Sequence, residues 1–263
     1  MSDFLDEDRA PHPEPAARSR RPSQTEDERL LDVQNGLNLG MDAWRVFRIM
    51  GEFVEGFEDL ASLGQAVSIF GSARVPDGHP QYEACVETAR LLGETGYAVI
   101  TGGGPGIMEA ANKGARLAGA TSVGCNIELP FEQSGNAYLD ISIDFRYFFV
   151  RKTMFMKYAQ AFVIFPGGFG TMDELFEALT LIQTGKVKDF PVVLFGTEYF
   201  GGLIDWIRGT LAEEGKIAPE DLDLMLVTDD PEAVRDHIVA HGKRRRSRPG
   251  GGRRATDHSK GSL

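Results

Sequence analysis

Two cysteines in 263 residues, Cys85 and Cys125, do not make a disulfide framework, and they do not form a ligand-like pair. Each stands inside an apolar helical or strand pattern, so both read as core thiols. No apolar run approaches the roughly 20 residues needed to span a bilayer. The first residues, Met1 to Asp8, are acidic, whereas a secretory signal starts with basic ones. The expectation is a cytoplasmic protein that keeps away from membranes. The five histidines are scattered, and no His/Cys/Asp cluster has metal-ligand spacing. Neither a metal nor a cofactor is expected. The Gly-Lys-Ser/Thr that completes a P-loop is also missing, which removes γ-phosphate transfer as the natural chemistry.

Positive charge is scarce outside the C-terminus. The net charge is -11, yet Lys243 to Leu263 holds eight Lys/Arg against one Asp, so residues 1–242 sum to -18. A basic run such as Lys243-Arg-Arg-Arg246 can touch nucleic acid or an anionic surface. The acidic body argues against nucleic acid as the main partner, because binding a phosphate backbone needs an extended cationic face.

What is present suits one large globular domain: 42% hydrophobic residues, 25% charged and 31 glycines. Residues 1–26, with Pro11, Pro13, Pro15 and Pro22 among Arg, Ser and Glu, are expected to form a disordered tail. Residues 27–242 form the domain, and 243–263 a second, basic disordered tail. Within the domain, apolar residues from Leu30 to Phe57 recur at roughly helical spacing. That pattern predicts a helical extension over 27–63, broken near Gly36 or Gly40 and packed outside the main sheet or on a partner subunit. Beyond it, short apolar runs alternate with helical stretches. Strands are expected at 66–71, 97–102, 121–129, 138–145, 161–165, 191–195 and 223–228. The intervening helices fall at 80–94, 106–119, 148–160, 171–184 and 199–214, with a last one at 231–241. Such alternation predicts a Rossmann-like, doubly wound α/β fold, a mostly parallel sheet with helices on both faces. Ligands of such sheets bind beyond the carboxyl ends of the strands.

Three strand-end motifs stand there: Phe70-Gly-Ser-Ala-Arg74, Gly102-Gly-Gly-Pro-Gly-Ile-Met108 and Pro166-Gly-Gly-Phe-Gly-Thr171. Glycine lets the backbone approach a ligand, and a helix N-terminus adds free N–H groups and partial positive charge, a combination that favours phosphate. The second motif does not fit G-x-G-x-x-G, since Ile107 takes the place of the last glycine, so a dinucleotide is not implied. Only the third motif carries acidic residues into the next helix, Asp173 and Glu174, expected in its first turn. A carboxylate beside an anion site adds unfavourable charge unless it has work to do. Next to a sugar-phosphate it can steady an oxocarbenium-like transition state or activate water. Arg151 and Lys152 open the helix that leads into the third motif's strand, and a guanidinium there can hold phosphate or polarise a leaving base.

The run Pro166-Gly-Gly-Phe-Gly-Thr-Met-Asp-Glu174 is similar to the P-G-G-x-G-T-x-x-E signature of the LOG ("lonely guy") proteins, and Arg151-Lys152 lies at the matching distance before it. The resemblance covers roughly Ala66 to Thr228 and includes the two earlier loops. It implies a Rossmann-like phosphoribohydrolase that cleaves cytokinin riboside 5′-monophosphates, often AMP as well, to free base and ribose 5-phosphate. It also implies Arg151 and Glu174 as the catalytic pair. By the same resemblance Gly167, Gly168, Gly170 and Thr171 form the phosphate turn, with Gly71, Ser72, Gly103, Gly104, Glu109 and Lys152 as further substrate-binding positions. Glu109 stands where shorter members have glycine, which implies an altered base pocket. Arg146-Tyr-Phe-Phe-Val150 replaces the Met-His-x-x of those shorter, dimer-like members. This resembles a longer class, for which a homo-oligomer is implied, a dimer or an assembly as large as a hexamer. Many members carry the label "lysine decarboxylase", but this chain has no convincing pyridoxal-phosphate lysine and is short for such an enzyme. Molybdenum-cofactor carrier proteins look similar too, and they supply the alternative of a nucleotide-binding carrier without turnover.

Overall fold

The computed structural model describes residues 25–31, 39–129 and 135–247. Seven strands form one sheet: β1 (Ala66–Phe70), β2 (Ala98–Thr101), β3 (Ser122–Ile127), β4 (Ile141–Phe145), β5 (Ala159–Ile164), β6 (Val192–Phe195) and β7 (Met225–Thr228). Their order is β4-β3-β2-β1-β5-β6-β7, and every neighbouring pair is parallel. The sheet is thus wholly parallel, where a mostly parallel one was expected. From β1 the chain winds outward through β2, β3 and β4, then crosses back to place β5 on the other side of β1. The switch point between β1 and β5 is where a parallel α/β sheet opens a crevice.

The helices are α1 (Glu26–Leu31), α2 (Leu39–Leu60), α3 (Pro80–Glu94), α4 (Ile107–Leu117), α5 (Phe148–Tyr158), α6 (Phe169–Gln183), α7 (Thr197–Trp206) and α8 (Pro231–Ser247). A wide π-type turn over Ile207–Ala212 continues α7, and a 3-10 turn over Pro219–Leu224 leads into β7. No described helix is long and apolar enough to cross a membrane.

Two apolar layers cover the sheet. On one face Leu60, Phe145, Tyr147, Met154, Phe155, Phe162, Leu175 and Phe200 bring in α2, α5, α6 and α7. On the other, Tyr82, Cys85, Leu92, Ile107, Ala110, Ala115, Val234 and Ile238 bring in α3, α4 and α8. Strand residues alternate between the layers, Val67 and Ile69 to one and Ala66 and Phe70 to the other, as period-two side chains must. The β1–β5 register shifts between Ala66 and Ser68, where β5 carries an extra residue. This irregularity breaks the alternation between Ala159 and Ala161, which lie two residues apart yet fall in opposite layers. Both cysteines are free and buried, and burial pushes the Cys125 thiol up to about 12.

Several boundaries differ from expectation. Helix α2 begins at Leu39, so Gly40, one of the two positions expected near a break, is its second residue. The other proposed break, Gly36, lies outside the described residues, as do residues 1–24 and 248–263 of the expected tails. Glu26 is buried at the start of α1 instead of ending a tail. At the other end α8 runs on through Lys243 to Ser247. Helix α2 packs on the sheet's own face, with Leu60 in the core and Ile49 and Phe53 against it. Its opposite side exposes Trp44, Phe47, Met50 and Val54.

Candidate functional site

The crevice at the β1/β5 switch point has a volume of about 610 Å³. Its walls come from all three strand-end loops and from α5. Gly71, Ser72, Ala73 and Arg74 follow β1, while Gly102 and Met108 flank the loop after β2. Phe148, Arg151 and Phe155 lie on α5, and Gly168, Phe169, Gly170, Thr171, Asp173 and Glu174 belong to the β5–α6 turn. Backbone hydrogen bonds knit the loops together at one residue: the Ser72 N–H donates to the Pro166 carbonyl (2.9 Å), and the Ser72 carbonyl accepts from the Ile107 N–H (3.0 Å).

The turn after β5 is built for close approach. A Cβ on Gly167 would sit 2.2 Å from the Thr171 hydroxyl, so the chain can fold back over Thr171 only with glycine there. The Tyr199 hydroxyl donates to the Gly167 carbonyl at 2.7 Å and pins the turn from α7. Helix α6 starts at Phe169, two residues earlier than expected, and has no side-chain cap. Its first turn contains no acidic residue, so Asp173 and Glu174 stand in the second turn. The ordinary reason for carboxylates at a helix start, compensation of the dipole, therefore does not explain them. The Thr171 N–H is directed to the Gly168 carbonyl (3.0 Å), which leaves Gly168, Phe169 and Gly170 as the amides at the tip.

Arg151 is held from three sides. Its Nε donates to the Cys125 carbonyl at 2.7 Å, and its guanidinium lies over the Phe155 ring, 5.2 Å from the centroid. Its Nη2 fills the space a side chain at position 102 would need, since a Cβ on Gly102 would be 2.3 Å away. Burial lowers its pKa, but an arginine remains cationic in a protein. The start of α5 is anchored by the N-terminal extension. The Phe148 N–H donates to Asp27 (3.1 Å), the Arg146 N–H to Glu52, and the buried Tyr147 hydroxyl to Glu26 (3.4 Å). The aromatic segment 146–150 and the long N-terminal helices are thus two halves of one contact.

Glu174 is 8% exposed, and its Oε2 has no hydrogen-bond partner among the described residues. Burial pushes its pKa up to about 7; the charges of Lys152 and Arg151 oppose that rise, and Glu177 and Asp173 add to it. A carboxyl poised near neutrality, beside a cationic fork and an uncapped helix start, has the properties of a proton-transfer group.

Not every expected residue reaches the crevice. Gly71, Ser72, Arg151, Gly168, Gly170, Thr171 and Glu174 line it, whereas Gly103, Gly104, Glu109, Lys152 and Gly167 do not. Gly103 has φ +73° and donates its N–H to the Thr101 hydroxyl; Asn136 Nδ2 donates to the carbonyls of Gly103 and Gly104. Asn136 in turn reaches Asn112, whose amide also meets Thr101 and Ser122, so a buried polar net sets the shape of this loop. Lys152 points to α6, with Nζ 2.9 Å from Asp173 and 2.6 Å from Glu177. Sequence reasoning passed over Arg74, Met108, Phe148, Phe155 and Phe169 as site residues. Arg74, Met108, Phe148 and Phe169 lie within the sequence motifs, and Phe169 is 97% exposed at the crevice mouth.

Comparison with known proteins finds a matching family model and several relatives. Residues 108–238 match a family model described as "possible lysine decarboxylase". The chain is 30% identical over 161 residues to a cytokinin riboside 5′-monophosphate phosphoribohydrolase of Mycobacterium tuberculosis, covering 60% of this chain and 83% of that protein. A probable cytokinin riboside 5′-monophosphate phosphoribohydrolase of Oryza sativa subsp. japonica is 24% identical, covering 73% of this chain and 77% of that protein. Among solved structures, a molybdenum cofactor carrier protein of Chlamydomonas reinhardtii superposes with a TM-score of 0.50 at 20% identity, covering 68% of this chain and 98% of that one. That likeness concerns the fold alone. A decarboxylase that uses pyridoxal phosphate needs a lysine amine free to form a Schiff base. No lysine lines the crevice, and the neighbouring Lys152 amine is engaged by two carboxylates, so these residues do not fit that cofactor.

Proposed function

The chain belongs to the LOG family, that of the cytokinin riboside 5′-monophosphate phosphoribohydrolases, and from that premise and the crevice geometry we propose that it hydrolyses the N-glycosidic bond of purine ribonucleoside 5′-monophosphates. Cytokinin riboside 5′-monophosphates and AMP are the substrates, and free base and ribose 5-phosphate the products. The 5′-phosphate rests on the amides of Gly168, Phe169 and Gly170, where the α6 dipole and the missing cap favour an anion. Glu174 takes a proton from the attacking water, whose oxygen bonds to the anomeric carbon as the carbon–nitrogen bond breaks. Arg151, fixed by Cys125 and Phe155, hydrogen-bonds the departing base, which keeps the bond's electron pair and takes a proton from solvent, to which Glu174 then returns the one it accepted.

The observation that carries this reading is the buried carboxylate of Glu174, its Oε2 without a hydrogen-bond partner among the described residues, in the wall of the crevice that holds the α6 N-terminus. Binding alone gains nothing from a negative charge at that place. The test is to incubate the purified full-length protein with AMP and with its N6-isopentenyl analogue, and to look for free base by chromatography. Release of base supports the hydrolase. Tight binding of both nucleotides without any release would replace it with a carrier.

A further inference from the structure

Along the seam between α5 and α6, cations sit on one helix and carboxylates on the other. Arg151 and Lys152 are adjacent on α5, while Asp173, Glu174 and Glu177 lie within two turns of α6. The Lys152 side chain is largely buried, and its Nζ bridges Asp173 (2.9 Å) and Glu177 (2.6 Å), residues four apart on one helix face. Glu174 follows Asp173 directly and has an Oε2 that no described residue hydrogen-bonds. Arg74, on the loop after β1, is the other cation in the crevice wall.

The arrangement has two physical effects. Asp173 and Glu177 are like charges next to Glu174, and unpaired they would resist its ionisation. Lys152 neutralises one charge of that pair, and the Arg151 guanidinium acts on Glu174 itself, so both cations favour the ionised Glu174 against its acidic neighbours. The bridge also ties α5 to α6 one residue away from Arg151, which fixes the separation of Arg151 and Glu174. A lysine between two carboxylates is kept firmly charged: burial works against the ammonium, but Glu177 and Asp173 outweigh it.

We propose that Lys152 is a positioning residue that keeps Glu174 available as a proton acceptor, by holding Asp173 and Glu177 in ion pairs beside it and locking α6 to α5. Lys152 itself touches no substrate in this scheme. Its purpose rests on the hydrolase reading, but its effect on Glu174 does not, and the two can be measured apart.

The experiment is a carbon-13 NMR titration of the full-length protein labelled at glutamate carboxyls, with the Glu174 signal identified by its loss in E174Q. The wild-type midpoint is expected near pH 7. In K152M it moves up by about one pH unit or more, as the loss of a close opposite charge requires, and K152R brings it back. The double variant D173N/E177Q moves it down, because Lys152 remains while the like charges are gone, and it provides the reading if K152M does not fold. A folded K152M with an unchanged midpoint, or a double variant whose midpoint rises, overturns the proposal. Absence of base release from the wild type, together with a midpoint that follows Lys152, would remove the hydrolase reading and leave this inference standing.

Discussion

Replacing Glu174 with Gln separates what the carboxylate costs the fold from what it does in the crevice. Glu174 is buried, and its pKa is raised from 4.5 to about 7 with burial as the main cause. A carboxyl whose folded value lies above its unfolded value stabilises the fold in its protonated form. That stability is complete below pH 4.5 and is lost as pH rises to about 7. At 1.36 kcal/mol per pH unit the gap caps the penalty at about 3 kcal/mol, and solvent relaxation brings it to roughly 2–3 kcal/mol. Glutamine keeps the shape and the neutral charge of the protonated acid. E174Q and the wild type are therefore expected to be equally stable near pH 4.5, with E174Q the more stable above pH 7. For a domain of this size the difference corresponds to roughly 4–10 °C in Tm. Thermal unfolding of both proteins between pH 4.5 and 8.5 checks it, with base release from AMP measured on the same samples. The variant should lose turnover by a factor of about 10² or more while gaining stability. A stability gap that does not change with pH, or a wild type more stable than E174Q at pH 8, would refute the argument that Glu174 is a desolvated charge.

Further outcomes follow from the same geometry. Wild-type kcat/KM should rise with pH and level off above about 7, because Glu174 must be ionised to accept a proton; a fall over that range would make it an acid instead. G102A puts a methyl group where Arg151 Nη2 lies, so kcat/KM should drop about tenfold or more by steady-state kinetics, while circular dichroism shows an intact fold. G167A forces the turn against Thr171 and should lower Tm, whereas G168A, with open space around its Cβ, should leave Tm nearly unchanged. D27A removes the acceptor of the Phe148 N–H and should cost about 1 kcal/mol in a denaturant titration, a loss carried from α1 to the helix that bears Arg151.

Much of the architecture was legible along the chain because it depends on local periodicity. Strands such as Ala66–Phe70 and Val192–Phe195 are fully buried runs of apolar residues, and both of their faces are covered. The α3 helix coincides with its expected span, Pro80–Glu94, since Pro at its first position and a following glycine mark its ends. Boundaries moved where tertiary contacts prevail over local signals. β5 begins at Ala159 rather than Ala161 because pairing with β1 admits an extra residue, and α6 begins at Phe169 because the glycine-rich turn after β5 is itself its first turn.

The chain alone determined which chemistry was available: three glycine turns at strand ends, one of them followed by a carboxylate, and an arginine one helix earlier. Spacing was enough for this, because a parallel sheet must bring its strand ends together. Only the tertiary structure decided which of these residues meet. It brought Arg151 and Glu174 into one crevice and turned Lys152 away to Asp173 and Glu177. It assigned Gly103 and Gly104 to a buried net around Asn136, and it added Met108, Phe148 and Phe155 to the walls. The physical reason is direction. Sequence spacing says how far along an element a side chain stands, but the carbonyl of Cys125, 26 residues from Arg151, decides where the guanidinium points. The proton affinity of Glu174 is likewise a property of what excludes water from it, and those groups come together only in the folded chain.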